Sequence, residues 1–163
     1  MKATSEWRWV WLLVMAATVG FIMQQSTVPP QQSAATSDAV TEIVVPLVGG
    51  PESTVGGFVQ QFMRKIAHFI EFFVLGLEAA FYLRGRVSAP TFSLMVLLGA
   101  AVAAADELLQ RFTGRGPAVT DVLIDLAGYL SGLGLTLLLL ALAAWLYHKR
   151  KEGTPPRAKT NDA

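Results

Sequence analysis

The sequence contains no cysteine and few charged residues. Without cysteine, disulfide bonds, thiolate metal sites and cysteine nucleophiles are excluded. Only 15% of the 163 residues are charged while 53% are hydrophobic, which leaves too little polar surface for an ordinary soluble domain. The formal net charge is +1, and most Lys and Arg residues lie outside the apolar runs, so the chain lacks the basic stripe of a nucleic-acid-binding protein. The composition therefore predicts a membrane protein.

Four apolar runs approach the roughly 20 residues that a helix needs to cross a bilayer core. They cover about residues 7–23, 62–83, 91–109 and 121–147. The first begins with tryptophans that suit an interfacial anchor and is followed by no small-x-small cleavage pattern, so we expect a membrane helix rather than a removed signal peptide. The last ends at Trp145 and Tyr147 before a basic stop signal. The pattern predicts an all-α integral membrane protein, a four-transmembrane-helix bundle whose membrane domain covers residues 1–147.

The segments outside these runs are polar. Residues 24–61 are rich in Gln, Ser, Thr, Pro and Gly, which predicts an extracytoplasmic loop. Its short apolar stretch 43–48 is broken by Pro46 and cannot span a membrane, so we expect it to dip into the interface. Residues 148–163 are basic, then polar and Pro-containing, which predicts a disordered cytoplasmic tail.

Lys and Arg are distributed unevenly about the four runs. One side holds Lys2, Arg8, Arg84, Arg86, Lys149, Arg150, Lys151, Arg157 and Lys159, and the other holds Arg64, Lys65, Arg111 and Arg115. Because the cytoplasmic loops of membrane proteins carry the positive excess, both termini are predicted to be cytoplasmic.

Ionisable residues interrupt the last three runs near the predicted extracytoplasmic end. The candidate residues of this polar pocket are Arg64, Lys65, His68, Glu71, Asp106, Glu107, Gln110, Arg115, Asp121 and Asp125. Asp121 and Asp125 share a helix face with Gly128 and Gly132, a small-residue seam that permits close helix contact, so the acids are aimed at a partner helix. A charge at mid-bilayer costs about 2.5–3.5 kcal/mol, so these groups must pair, lose their charge or face water. Glu78, deeper on the second run, is expected to pair with Arg84 or Arg86.

Three sequence motifs resemble the VanZ-like family of bacterial membrane proteins. They are RKIAHFIEFFVLG from Arg64, ADELLQRF from Ala105, and Arg115 followed by DVLIDLAG from Asp121. They lie in the last three runs, whereas the first run and the long loop match poorly. The resemblance implies a four-helix, multi-pass protein of the bacterial cytoplasmic (inner) membrane, in a family associated with low-level resistance to the glycopeptide teicoplanin. It implies no established catalytic activity. The positions that match the family pattern are Lys65, His68, Glu71, Asp106, Glu107, Gln110, Arg115, Asp121 and Asp125.

Three functions are compatible with the predicted pocket. The first, which we favour, is binding or modulation of an anionic lipid or lipid-linked cell-wall precursor, with Arg64, Lys65 and Arg115 as cationic groups. The second is a small membrane enzyme that uses His68 with the Asp106–Glu107 pair on a lipid-linked substrate. The third is a proton- or ion-coupled transporter. A metal site from His68, Glu71, Asp106 and Glu107 is disfavoured because His68 has no histidine partner nearby, so neither a metal nor a cofactor is predicted. Membrane lipids are the expected partners, and the oligomeric state stays open.

Overall fold

The computed structural model describes residues 3–27, 53–84, 87–113 and 119–152. These residues form four helices and no strand, with α1 at Ala3–Thr27, α2 at Thr54–Leu83, α3 at Ala89–Phe112 and α4 at Val119–Glu152. Each contains a segment long and apolar enough to cross a membrane. The predicted all-α class with four membrane-spanning helices is therefore confirmed, and the chain is a multi-pass membrane protein.

The first two helices continue into the predicted loop. Residues 24–27 belong to α1, and α2 already begins at Thr54, so both helices extend into the loop predicted over about residues 24–61. The reason is local, because a helix can continue past its apolar segment until a capping residue ends it. The hydroxyl of Ser53 accepts the N–H of Gly56 at 2.9 Å and so caps α2. The apolar stretch 43–48 lies outside the described residues.

The fourth helix is the longest and extends beyond the apolar run. Its 34 residues span about 51 Å at 1.5 Å per residue, well over the roughly 30 Å of a hydrocarbon core. Residues 148–152 are helical, so the helix extends past residue 148, where the sequence predicts that the tail begins. Basic residues in this last turn, Lys149 to Lys151, interact favourably with the negative end of the helix dipole. Residues 153–163 lie outside the described part of the chain.

The closest packing in the bundle is between α2 and α4, which run parallel. Gly128 faces the carbonyl oxygen of Phe69, and Gly132 faces that of Phe73, so that an added Cβ at either glycine would overlap the α2 backbone. From the other side, Gly76 packs in the same way against the carbonyl of Tyr129. The small-residue seam predicted on the fourth helix thus lies against the second helix.

The other two helices run antiparallel to this pair. The ring of Trp11 on α1 stacks on Phe81 of α2 with centroids 4.7 Å apart. The hydroxyl of Tyr129 on α4 donates to the carbonyl of Met95 on α3 at 2.8 Å, and its ring fills the space that Gly99 leaves. The four helices therefore alternate in direction.

The buried core consists of Ile22, Phe72, Leu75, Ala79, Ala80, Leu83, Met95, Ala103, Tyr129 and Leu133.

Candidate functional site

Polar side chains from all four helices meet at one end of the bundle. The alternating directions bring the C-terminal parts of α1 and α3 next to the N-terminal parts of α2 and α4. We refer to this group as the polar cluster, which consists of Ser26, Lys65, His68, Glu71, Asp106, Gln110, Asp121 and Asp125. Asp106 and Asp125 each lie six residues, or about 9 Å, inside the end of their helix, so the cluster is set below the helix ends.

Asp106 lies at the centre of the cluster and is fully buried. Its Oδ1 accepts a short hydrogen bond from the hydroxyl of Ser26 on α1. Its Oδ2 accepts a hydrogen bond of 2.8 Å from Nε2 of Gln110, one turn further along α3. The same oxygen lies 3.6 Å from Nδ1 of His68 on α2. The carboxyl group of Asp106 thus joins three helices through its two oxygens.

His68 lies between two carboxyl groups. Its Nδ1 is 3.6 Å from Asp106 Oδ2 and 3.8 Å from Glu71 Oε2. Both distances are longer than a hydrogen bond, but both are short enough for an ion pair when the imidazole is protonated. Glu71 Oε2 is buried and has no hydrogen-bond partner among the described residues. The His68 side chain is 13% exposed, so the imidazole is largely buried but keeps some access to the surface of the bundle.

The two aspartates at the start of α4 have different surroundings. Asp121 Oδ1 lies 3.0 Å from Nζ of Lys65, and the side chains of this ion pair are 15% and 36% exposed. Asp125, one turn deeper, is only 2% exposed, and its Oδ1 has no hydrogen-bond partner in the described part of the chain. One ligand atom each from His68, Asp106 and Asp125 lies within 4.8 Å of the others. Within the described residues, these three form a group that could hold a metal ion.

Two further predicted residues, Arg64 and Glu107, border two separate cavities. A small cavity of about 10 Å³ is lined by Arg64, Lys65, His68, Asp121, Ile124 and Asp125. A larger one of about 180 Å³ lies between α3 and α4 and is lined by Ala104, Glu107, Leu108, Arg111, Val119 and Val122. Glu107 therefore faces a different space from Asp106, although the two are adjacent in sequence. Arg115 lies outside the described residues.

The first helix contributes a residue to the polar cluster that the sequence did not predict. Ser26 is fully buried and binds Asp106 from α1, and the hydroxyl of Thr113 lies 3.2 Å from the Ser26 carbonyl as a further link to α3. The predicted first helix ends at Met23, so Ser26 falls in the predicted loop. The available signal was the spacing of Thr18, Ile22 and Ser26 at i, i+4 and i+8, which places two hydroxyl groups on one helix face.

Glu78 lies apart from the polar cluster, and its predicted pairing with Arg84 was wrong. Its Oε1 accepts a hydrogen bond of 2.8 Å from the hydroxyl of Thr18 on α1, while Arg84 is exposed beyond the end of α2. The α1 helix packs along this part of α2 and reaches Glu78 first. Arg86, the alternative partner, lies outside the described residues.

The comparison with known families agrees with this architecture. Residues 9–140, about four-fifths of the chain, match the VanZ/LLP1 family model. The match begins within α1, so it includes the first helix and the long loop, which the sequence motifs alone had left out of the resemblance. No curated protein and no solved structure matches the chain.

Proposed function

The chain belongs to the VanZ/LLP1 family, and from this premise we propose that it acts at the outer face of the bacterial cytoplasmic membrane. There it binds or modulates an anionic lipid or a lipid-linked cell-wall precursor. By doing so it lowers the susceptibility of the cell to glycopeptides such as teicoplanin.

The observation that carries this proposal is the polar cluster itself. Asp106 is fully buried and Asp125 is 2% exposed, in helices that are otherwise apolar enough to span a bilayer. Ionisable groups inside a membrane are costly, at about 2.5–3.5 kcal/mol each on the lenient insertion scale, and they usually mark functional sites. The α2–α4 contact is already made by glycines deeper in the bundle, so the packing of α4 on α2 has a basis other than the carboxyl group of Asp125.

The distribution of positive charge supports an anionic ligand at this end. Arg64 and Lys65 line the small cavity above His68 and Asp125, and Arg111 lines the larger cavity nearby. Arg115 follows α3 by only three residues in the sequence. An anionic group that approaches the end of the bundle would meet guanidinium and ammonium groups first, and these are the side chains that bind phosphate and carboxylate.

The charges at the opposite end support the outward orientation. The end of the bundle away from the polar cluster carries three basic features. They are Arg8 near the start of α1, Arg84 at the end of α2 and the basic last turn of α4. By the positive-inside rule this end belongs in the cytoplasm. The polar cluster would then face the side of the membrane on which cell-wall precursors are exposed to glycopeptides.

The geometry gives less support to the catalytic alternative. That hypothesis paired Asp106 with Glu107 as general acid and base, with His68 beside them. Glu107 lines the larger cavity between α3 and α4, whereas Asp106 is bound to Ser26 and Gln110 inside the polar cluster. The two carboxyl groups therefore face different spaces, and a proton relay between them is not favoured.

Teicoplanin susceptibility of a sensitive Gram-positive host provides the test. Cells would express the wild-type protein, Asp106→Asn, Glu107→Gln or Arg115→Ala at equal membrane abundance, with Glu78→Gln as the matched control because Glu78 is a buried carboxyl group outside the cluster. We expect the wild type and the control to raise the inhibitory concentration of teicoplanin, and Asp106→Asn and Arg115→Ala to lose that protection. Glu107→Gln shows whether the larger cavity contributes. Absence of protection by the wild type would overturn the glycopeptide role, and full protection by Asp106→Asn would overturn the role of the cluster.

A further inference from the structure

We propose that His68, Asp106 and Asp125 bind a divalent transition-metal ion of the kind represented by Zn²⁺ and Mn²⁺. The three residues come from α2, α3 and α4, and one ligand atom of each lies within 4.8 Å of the others. Ligands at about 2.0–2.2 Å from a Zn²⁺ ion lie at most about 4.4 Å from one another. Small side-chain rotations are therefore enough to bring all three groups onto one ion.

Asp125 provides the second, independent observation. Its side chain is 2% exposed, and its Oδ1 has no hydrogen-bond partner among the described residues. A buried carboxylate oxygen normally has a hydrogen-bond donor, an ion-pair partner or a metal ion beside it. Lys65, the nearest lysine on α2, instead lies 3.0 Å from Asp121. A cation between His68 and Asp106 would supply the partner that Asp125 Oδ1 needs.

Space for an ion exists beside two of the three proposed ligands, His68 and Asp125. The cavity lined by His68 and Asp125 measures about 10 Å³, close to the volume that one water-sized sphere needs. Its other walls are Arg64, Lys65, Asp121 and Ile124. Lys65 is 36% exposed and pairs with Asp121 in the first turn of α4, so the cavity lies near the end of the bundle, which gives an ion a route to it.

The surroundings of Asp106 resemble those of a metal ligand. Ser26 and Gln110 donate to its two oxygens, and each carboxylate oxygen keeps a second lone pair for a cation. Hydrogen bonds of this kind fix the orientation of ligating carboxylates in metal sites. Glu71 Oε2 lies 3.8 Å from His68 without a hydrogen-bond partner in the described residues, and so offers an additional carboxylate at the edge of the site.

The donor set decides the class of ion. Two carboxylates and an imidazole suit Zn²⁺ and Mn²⁺, whereas Ca²⁺ and Mg²⁺ prefer sites made of oxygen alone. Soft thiolate sites are excluded because the chain has no cysteine. The sequence had predicted no metal because His68 has no histidine neighbour. That prediction did not consider Asp125, which the packing of α4 against α2 and α3 brings next to His68 and Asp106.

Metal binding by the purified full-length chain tests the proposal. The protein would be stripped with a chelator in detergent and titrated with Mn²⁺, with free Mn²⁺ followed by electron paramagnetic resonance and Zn²⁺ added as a competitor. We expect about one Mn²⁺ per chain, displaced by Zn²⁺, and a loss of affinity of about tenfold or more in Asp125→Asn and His68→Gln, since even changes in groups that only support a ligand cost 10–100-fold. Glu78→Gln, the buried carboxyl outside the site, should bind like the wild type.

Two further measurements separate ligation from folding. The pulsed resonance spectrum of bound Mn²⁺ should show coupling to an imidazole nitrogen that His68→Gln removes. Added Zn²⁺ should raise the melting temperature of the wild type, because a ligand that binds only the folded state stabilises it, and should not raise that of folded Asp125→Asn. Absence of Mn²⁺ and Zn²⁺ binding by folded wild type would overturn the proposal, as would equal binding by all variants. Because these measurements use no glycopeptide, they can fail while the proposed function stands.

Discussion

At the scale of single residues, the polar cluster depends on how the carboxyl group of Asp106 is satisfied. A fully buried carboxyl group costs free energy unless its oxygens find donors. One donor, Gln110, is on the same helix, while the other, Ser26, comes from α1, more than 75 residues earlier in the chain. The hydroxyl of Ser26 is therefore both a partner of the central acid and a link that joins α1 to α3.

Replacement of Ser26 tests this link. We expect Ser26→Ala to lower the free energy of unfolding by about 1–3 kcal/mol, because a buried acceptor loses its donor. The measurement is reversible unfolding in mixed micelles, with Thr27→Ala as the control. Among the described residues, the Thr27 hydroxyl donates to the carbonyl of Gln24 on the exposed surface of its own helix. Equal losses in the two variants would show that Ser26 contributes no more than an ordinary helix hydroxyl.

At the scale of helices, the α2–α4 contact depends on residues without side chains. Gly132 packs on the carbonyl of Phe73, whereas Gly134, two residues on, has open space where a Cβ would lie. This pair gives a matched experiment within one helix. We expect Gly132→Leu to lower stability by about 1–3 kcal/mol or more, since a side chain forced into a packed contact separates the helices, and Gly134→Leu to leave it nearly unchanged.

The same unfolding assay in mixed micelles measures both glycine variants. Because Asp121 and Asp125 lie on the same helix as Gly132, separation of α4 from α2 should also weaken the contact between Lys65 and Asp121. A loss in Gly134→Leu as large as that in Gly132→Leu would mean that added bulk anywhere on α4 is harmful, and the close contact with α2 would then not explain the result.

Features that depend on local sequence were predicted, and features that depend on contact between helices were not. The apolar runs predicted four helices, and the spacing of Gly128 and Gly132 predicted a close contact, because both follow from the period of one helix. Ser26 was missed because the partner of its hydroxyl lies on a helix far away in sequence. Glu78 was expected to pair with Arg84 or Arg86, which are near in sequence, although Thr18 on the neighbouring helix donates a hydrogen bond to it. The ends of α1 and α2 were misplaced because caps, rather than apolar content, decide where a helix stops.

At the scale of the whole molecule, the two ends of the bundle differ in charge. One end carries the four carboxyl groups of the polar cluster together with Arg64, Lys65 and Arg111, whereas the other carries the basic last turn of α4. A membrane protein with this asymmetry should insert with its basic end in the cytoplasm. The orientation matters to the proposed function because glycopeptides act outside the cell membrane, and to the proposed metal site because an outward cluster would exchange an ion with that side.

The absence of cysteine allows this orientation to be measured directly. Thr120→Cys introduces a thiol at an exposed position near the polar cluster, and Lys149→Cys introduces one at the exposed basic end. We expect a membrane-impermeant maleimide to label Thr120→Cys in intact cells and to label Lys149→Cys only after the membrane is opened. Labelling of both variants in opened membranes confirms that each thiol is accessible. The reverse pattern in intact cells would place the polar cluster in the cytoplasm, and the protein could then influence glycopeptides only by acting on precursors before they cross the membrane.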